Sequence, residues 1–143
     1  MYDVNLRKDS YTTPLVRELM ARGQVVKLNE DEATRIDQMF GRGERSLKDF
    51  CRAYSDEFGW KSAYVTLGEK GCAMLVNGEY LEAGGYTVQP QDTVGAGALV
   101  HGLSWQWPAA EIADFANRVA ALVASRPGGT PAWTLEEARA PSR

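Results

Sequence analysis

This 143-residue sequence predicts an α/β fold built on a largely parallel sheet, and three observations lead there. Short strand-like runs alternate with longer segments of helical periodicity from the first residues onward. Asn77-Gly78 separates two β-rich runs, a strong signal for a two-residue type I′ hairpin. Asp92-Thr93-Val94-Gly95-Ala96-Gly97-Ala98 is a glycine-rich turn opening an apolar helical stretch. Such a turn offers free backbone N–H groups to an anion at the positive end of a helix.

Taken in order, Tyr2–Asn5 reads as a short strand, and Leu15, Val16, Leu19 and Met20 form an apolar helical stripe ending near Gly23. Gln24–Leu28 is a second strand, after which Asn29 opens a helix. Ser46 starts the next helix, which carries Leu47, Phe50, Cys51, Tyr54 and Phe58 on one face. Asp49, three positions on, makes Ser46 a candidate for a capping box. Ser62–Leu67 is a strand, and Cys72–Val76 and Glu79–Glu82 are the arms of the hairpin. Leu99–Trp107 and Ala109–Ser125 read as helices on either side of Pro108. A Pro/Gly segment, Pro127–Pro131, precedes a short helix from Thr134. No repeat or linker divides the chain, so residues 1–143 form one domain or one part of a larger one.

Composition narrows the function classes. A net charge of −3 without a basic block argues against nucleic acid or an anionic membrane as the main partner. No apolar run approaches the roughly 18–20 residues that span a bilayer. Cys51, Cys72 and His101 match no metal-ligand spacing, which leaves two buried thiols in a cytoplasmic protein as the expectation.

Four polar segments carry the chemistry, and each also has a purely structural reading. In Asp3-x-Asn5-x-Arg7, period-two spacing puts three polar side chains on one face if the chain stays extended through Arg7. They are either a solvated strand end or a cluster facing a phosphate or sugar. Asn29 and Glu32 suit an N-cap and its capping-box partner, a role compatible with facing a hydrated cation. Thr66-Leu67-Gly68-Glu69-Lys70-Gly71 ends a strand in a tight turn whose glycines leave room for backbone to approach phosphate. The glycine turn at 92–98 is either a packing device or an anion site.

In this order the segments resemble the ribokinase/PfkB family of carbohydrate kinases, closest to its fructokinase-like and ketodeoxygluconate-kinase-like members. The turn resembles that family's Asp-Thr-X-Gly-Ala-Gly-Asp motif, Asn29-x-x-Glu32 its Asn-x-x-Glu motif, and Thr66–Gly71 its Thr/Ser-x-Gly-x-x-Gly segment. The resemblance implies a layered αβα ribokinase-like fold and transfer of the ATP γ-phosphoryl group to the hydroxyl of a small sugar. It makes Gly95, Ala96 and Gly97 the anion hole and puts Asn29, Thr66, Gly68, Gly71, Asn117 and Gly128 around the nucleotide. Asn5 and Arg7 fall on the phosphate or substrate side, Glu32 meets magnesium through water, and Asp92 contributes to a monovalent-cation (potassium) site.

The resemblance also marks two departures. Family members are about twice this length, so the chain corresponds to their carboxyl-terminal, nucleotide-binding half. A complementing amino-terminal half or self-association would be its partner. The family's closing Asp, the base that activates the sugar hydroxyl, is absent, and Ala98 stands in its place. Aligning Phe115-Ala116-Asn117 with the family's adenine-pocket helix puts a gap of roughly five residues, slightly more than one helical turn, between Gly97 and Ala98. The expectation is an inactive or severely impaired kinase, with a non-catalytic nucleotide- or phosphate-binding module or a structural scaffold as the alternative.

Overall fold

The computed structural model describes residues 1–8, 10–85, 96–126 and 131–140. Five strands, β1 (Tyr2–Asp3), β2 (Val25–Asn29), β3 (Ser62–Thr66), β4 (Cys72–Val76) and β5 (Glu79–Ala83), lie in one sheet in sequence order. The helices are α1 (Thr13–Arg22), α2 (Glu30–Met39), α3 (Leu47–Phe58), α4 (Ala96–Ser104), α5 (Ala109–Ala124) and α6 (Leu135–Arg139).

Strands β1, β2 and β3 are parallel, with Tyr2 opposite Val26, and Val26 opposite Ala63. Their crossovers contain α1, and α2 with α3, as parallel neighbours require. The Asn77 N–H donates to Lys61 O at 3.0 Å, bringing the end of β4 to the start of β3, so β4 runs against β3. Asn77 and Gly78 have φ of 49° and 85°, the two positive values of a type I′ turn. The mixed α/β sheet with its terminal hairpin is therefore as expected.

Several boundaries differ from the sequence reading for identifiable reasons. Asn5 has φ 44°, a left-handed conformation that asparagine tolerates. The extended chain therefore stops short of Arg7, and period-two spacing does not put Asp3, Asn5 and Arg7 on one face. Helix α4 ends at Ser104 because Gln106 turns to φ 53°. Ser46 caps α3 by accepting from the Asp49 N–H at 3.1 Å, but the Asp49 carboxylate accepts the Ser46 hydroxyl at 2.7 Å instead of a backbone N–H. Aspartate is one methylene shorter than the glutamate of a full capping box.

The chain forms two compact units, Met1–Leu67 with Ala73–Leu81, and Gly68–Cys72 with Glu82–Arg143. The core of the first contains Val16 and Met20 of α1, Ala33 and Ile36 of α2, and Phe50, Cys51 and Tyr54 of α3. They pack with Val26, Leu28, Ala63, Val65, Ala73 and Leu75 of the sheet. Recurrence at three- and four-residue spacing on each helix produces this face. The Trp60 indole N–H donates to Met20 O at 2.9 Å, so its ring is buried without an orphan donor.

In the second unit, α4 and α5 meet at Gly102, where an added Cβ would lie 2.9 Å from Ile112 Cγ1. Trp107 packs edge-on against Phe115 at 5.3 Å, and His101 makes an edge contact with Trp107 at the same distance. Helix α6 starts with a full capping box between Thr134 and Glu137. The Arg126 guanidinium bonds to Glu137 at 2.6 Å and, with the Thr134 backbone, lowers the pKa of that exposed carboxyl.

Both cysteines are buried thiols outside any disulfide, and burial pushes the Cys51 thiol up to about 12. The reactive thiolate is therefore scarce at neutral pH. A disulfide reagent at pH 8 should label neither thiol in the folded chain and both after denaturation. Rapid labelling of native protein would contradict this burial.

Candidate functional site

Within the first unit, the carboxyl ends of the three parallel strands converge. Asn29, the last residue of β2, is in register with Thr66, the last of β3. Asn29 also caps α2. Its side chain accepts from the Glu32 N–H at 2.8 Å, and Glu32 Oε2 accepts from the Asn29 N–H at 2.9 Å. The other oxygen of Glu32 accepts the Leu6 N–H at 2.7 Å, between Asn5 and Arg7. Glu32 thus joins the helix start to the segment after β1, and the structure brings Asn5, Asn29, Glu32 and Thr66 to one sheet edge. Ligands of open α/β sheets bind at such edges.

The capping role does not exhaust Glu32. Each carboxylate oxygen accepts one backbone N–H and keeps a further lone pair, which could accept a bond from the water of a hydrated cation. Among the described residues, no three His, Cys, Asp or Glu side chains cluster as a metal site. Glu32 would accordingly act singly and through water. Burial first, then the charges of Glu32 and Asp3, raise the pKa of the Tyr2 phenol, so Tyr2 is neutral beside the carboxylates. Asp3 itself is committed to Lys27, a residue only 6% exposed, whose ammonium donates at 3.0 and 3.1 Å. Thr66 Oγ1 lies 3.5 Å from Leu28 O.

The second unit contains the glycine turn. Gly68 begins a single 3₁₀ turn at φ 60°, and Gly71 closes it at φ 103°. A Cβ at Gly71 would fall inside the van der Waals shell of Ala83 O and 2.5 Å from Gly85 N. Close backbone approach is therefore the structural reason for Gly71, while Gly68 is exposed with open space around it. Asn117 is 7% exposed on α5, and its Nδ2 donates to Gly84 O at 3.1 Å and reaches Ala83 O at 3.5 Å. The family resemblance implies a place beside the nucleotide for Gly71 and Asn117. The structure joins both to the exit of β5.

Asp92, Gly95 and Gly128 lie outside the described residues. Ala96 opens α4, and Gly97 follows in its first turn, exposed and, among the described residues, with nothing within 4 Å of a built Cβ. Ala98 is 4% exposed. Position 98 thus presents its side chain to the protein interior.

Sequence reasoning missed a polar network on α2 and α3. Asp37, 4% exposed, accepts the Tyr54 hydroxyl at 2.9 Å and is gripped bidentately by Arg45 through Nε at 3.1 Å and through Nη2. Arg42 pairs with Glu57, as does Arg17. A cleft of about 220 Å³ opens beside them, lined by Thr34, Asp37, Gln38, Arg42, Glu44 and Arg45. Two arginines among glycines in Gly41-Arg42-Gly43-Glu44-Arg45 are the signal that could have found it.

Known proteins are similar to this chain in sequence or in fold. A protein of Pyrococcus horikoshii named as a sugar kinase is 27% identical over 93% of this chain and 42% of its own length. The crystal structure of 2-dehydro-3-deoxygluconokinase from Thermotoga maritima superposes with a TM-score of 0.80 at 21% identity, covering 95% of this chain and 47% of the other. A fructokinase double mutant from Vibrio cholerae, solved with fructose, ADP and a potassium ion, gives a TM-score of 0.69 at 25% identity, covering 88% and 44%. The chain thus spans less than half the length of each of these relatives. The model of the pfkB family of carbohydrate kinases matches residues 1–135, and with the ribokinase-like sheet and its order of segments, this shows that the chain belongs to that family.

Proposed function

We propose that residues 1–143 are a partial pfkB-type kinase domain that binds ATP with Mg²⁺ in the cytoplasm and does not by itself sustain phosphoryl transfer to a sugar. The observation that carries this reading is the buried alanine at position 98, directly after Gly95-Ala96-Gly97. Phosphoryl transfer depends on positioning and electrostatic stabilisation, which a Gly95–Gly97 anion hole with Asp92 and potassium nearby would supply through backbone N–H groups. A general base contributes about 10²–10⁴-fold more, or about 3–5 kcal/mol of barrier. No carboxylate follows Gly97 in α4, and His101 is the one side chain of acid–base type from Ala98 through Ser104.

Under this reading, Asn29 and Glu32 hold magnesium and phosphate through water, and Asn5 and Arg7 face the phosphate or sugar. Thr66, Gly68, Gly71, Asn117 and Gly128 serve the nucleotide. Magnesium, when bound, screens the triphosphate. Glu32 orients the ion's water while its two backbone hydrogen bonds keep the carboxylate in place. The sugar-binding site would be completed by a complementing amino-terminal half or a second copy.

Calorimetry with ATP and magnesium, beside a coupled ADP-release assay with fructose, ribose and ketodeoxygluconate, tests the proposal. Binding without turnover is the expected result, and robust turnover would sink it. A second reading, a scaffold that has kept only the fold, is favoured by the structural contacts that Gly71 and Asn117 make. Failure to bind ATP would select it.

A further inference from the structure

We infer that Asn117 is a positioning residue that sets the conformation of the Gly68–Gly71 turn through the exit of β5. Two backbone segments of the second unit, the Gly68–Gly71 turn and the exit of β5, meet one side chain of α5 at a single joint. The Gly71 N–H donates to Gly68 O and the Gly85 N–H to Lys70 O, both at 3.1 Å. Gly71 and Gly85 are in mutual backbone contact, since a Cβ on Gly85 would lie 2.7 Å from Gly71 N. Asn117 closes the joint from α5 by donating to Gly84 O at 3.1 Å and reaching Ala83 O at 3.5 Å.

The chemistry of the side chain suits this task. One amide nitrogen carries two protons, and two successive carbonyls at the end of a strand need partners once the ladder stops. An amide buried to 7% exposure makes those bonds in a low-dielectric setting, where leaving them unmade costs most. Gly85 and Gly71 cannot separate without breaking the Lys70 bond, so fixing Ala83 and Gly84 fixes the turn. This inference rests on the proposed role of the Gly68–Gly71 turn as a phosphate-facing segment.

Asn117→Asp keeps the shape and removes the donor, setting a carboxylate against two carbonyl oxygens. Without nucleotide, amide exchange at Gly71 and Gly85 should accelerate at least about tenfold, while Val65 in β3 stays protected. Unchanged exchange in a folded variant overturns the inference. Affinity for tripolyphosphate and for ATP should fall together by about tenfold, with adenosine binding unchanged. A Val123→Ala control of matched thermal stability should keep both affinities. Weakened adenosine binding would mean that Asn117 touches the base directly, and would also overturn it.

If the wild-type chain binds neither adenosine nor phosphate while exchange still follows Asn117, the nucleotide reading fails and the joint stands. Should Asn117→Asp not fold, the wild-type chain decides. Its Asn117 side-chain amide protons should exchange far more slowly than those of exposed Asn77, and solvent-rate exchange would refute the joint.

Discussion

Gly71→Ala should be the most damaging single-methyl substitution in this protein, costing more than about 4 kcal/mol or abolishing folding. Two costs coincide at this position. With φ at 103°, the backbone occupies a region that L side chains rarely adopt. The added Cβ would also collide with backbone, not with a side chain that can rotate away: Ala83 O, Gly85 N at 2.5 Å and Gly84 C at 2.6 Å. Relief would require the exit of β5 to move, breaking the Gly85–Lys70 bond and pulling Gly84 O away from Asn117. Gly68→Ala is the natural comparison. Its φ is 60°, but nothing lies within 4 Å of the new methyl, so only the left-handed strain of about 1–2 kcal/mol applies. Thermal denaturation of the two variants should separate them clearly. Equal melting temperatures would mean that the close approach at Gly71 relaxes without cost.

The contrast between these two glycines shows what a sequence can and cannot convey. Thr66-x-Gly68-x-x-Gly71 reads as a single glycine turn, and nothing local distinguishes its members. The demand on Gly71 comes from Ala83–Gly85, more than ten residues away along the chain, so it is a tertiary fact. The hairpin, by contrast, was fully legible because Asn77 and Gly78 carry the backbone preference that the turn requires. Caps were legible for the same reason. The Asn29–Glu32 box depends on two side chains three positions apart, and it forms as read.

Where legibility failed, a non-local pairing or an unusual φ won. Asn5 leaves the extended region after β1 and defeats a face argument built on period two. Asp37 was unreadable because its partners, Arg45 and Tyr54, come from a loop and a second helix. Asn117 shows a mixed case. The family resemblance singles it out as a nucleotide-side residue, but nothing in the sequence announces its bonds to Ala83 and Gly84. Of the candidate site, the sheet-edge group of Asn29, Glu32 and Thr66 could be read from strand ends and a cap. The Leu6 N–H that fills the second oxygen of Glu32 could not.

Restoring an acid at position 98 should weaken the fold without restoring catalysis. Ala98 is 4% exposed, so Ala98→Asp would place an unpaired carboxylate in the interior, at a cost of about 3–5 kcal/mol at neutral pH. Burial raises the pKa of such a carboxyl above its unfolded value of about 3.9. The folded state then holds the proton more tightly than the unfolded chain. The penalty is therefore smallest below about pH 4 and grows as pH rises towards the folded-state pKa. Melting temperatures of mutant and wild type should converge in acid and diverge towards pH 7. Gly97→Asp reverses the setting. That position is exposed, has no described residue within 4 Å of a built Cβ and lies in the first turn of α4, where a negative charge gains about 0.3–1 kcal/mol from the helix dipole. Its stability should match or slightly exceed that of the wild type. In the coupled assay Ala98→Asp should show no gain in turnover, because its carboxylate faces the interior. A rise of about 10²-fold or more, the scale of a recovered general base, would make Ala98 a simple replacement of that base and refute the interior reading of position 98.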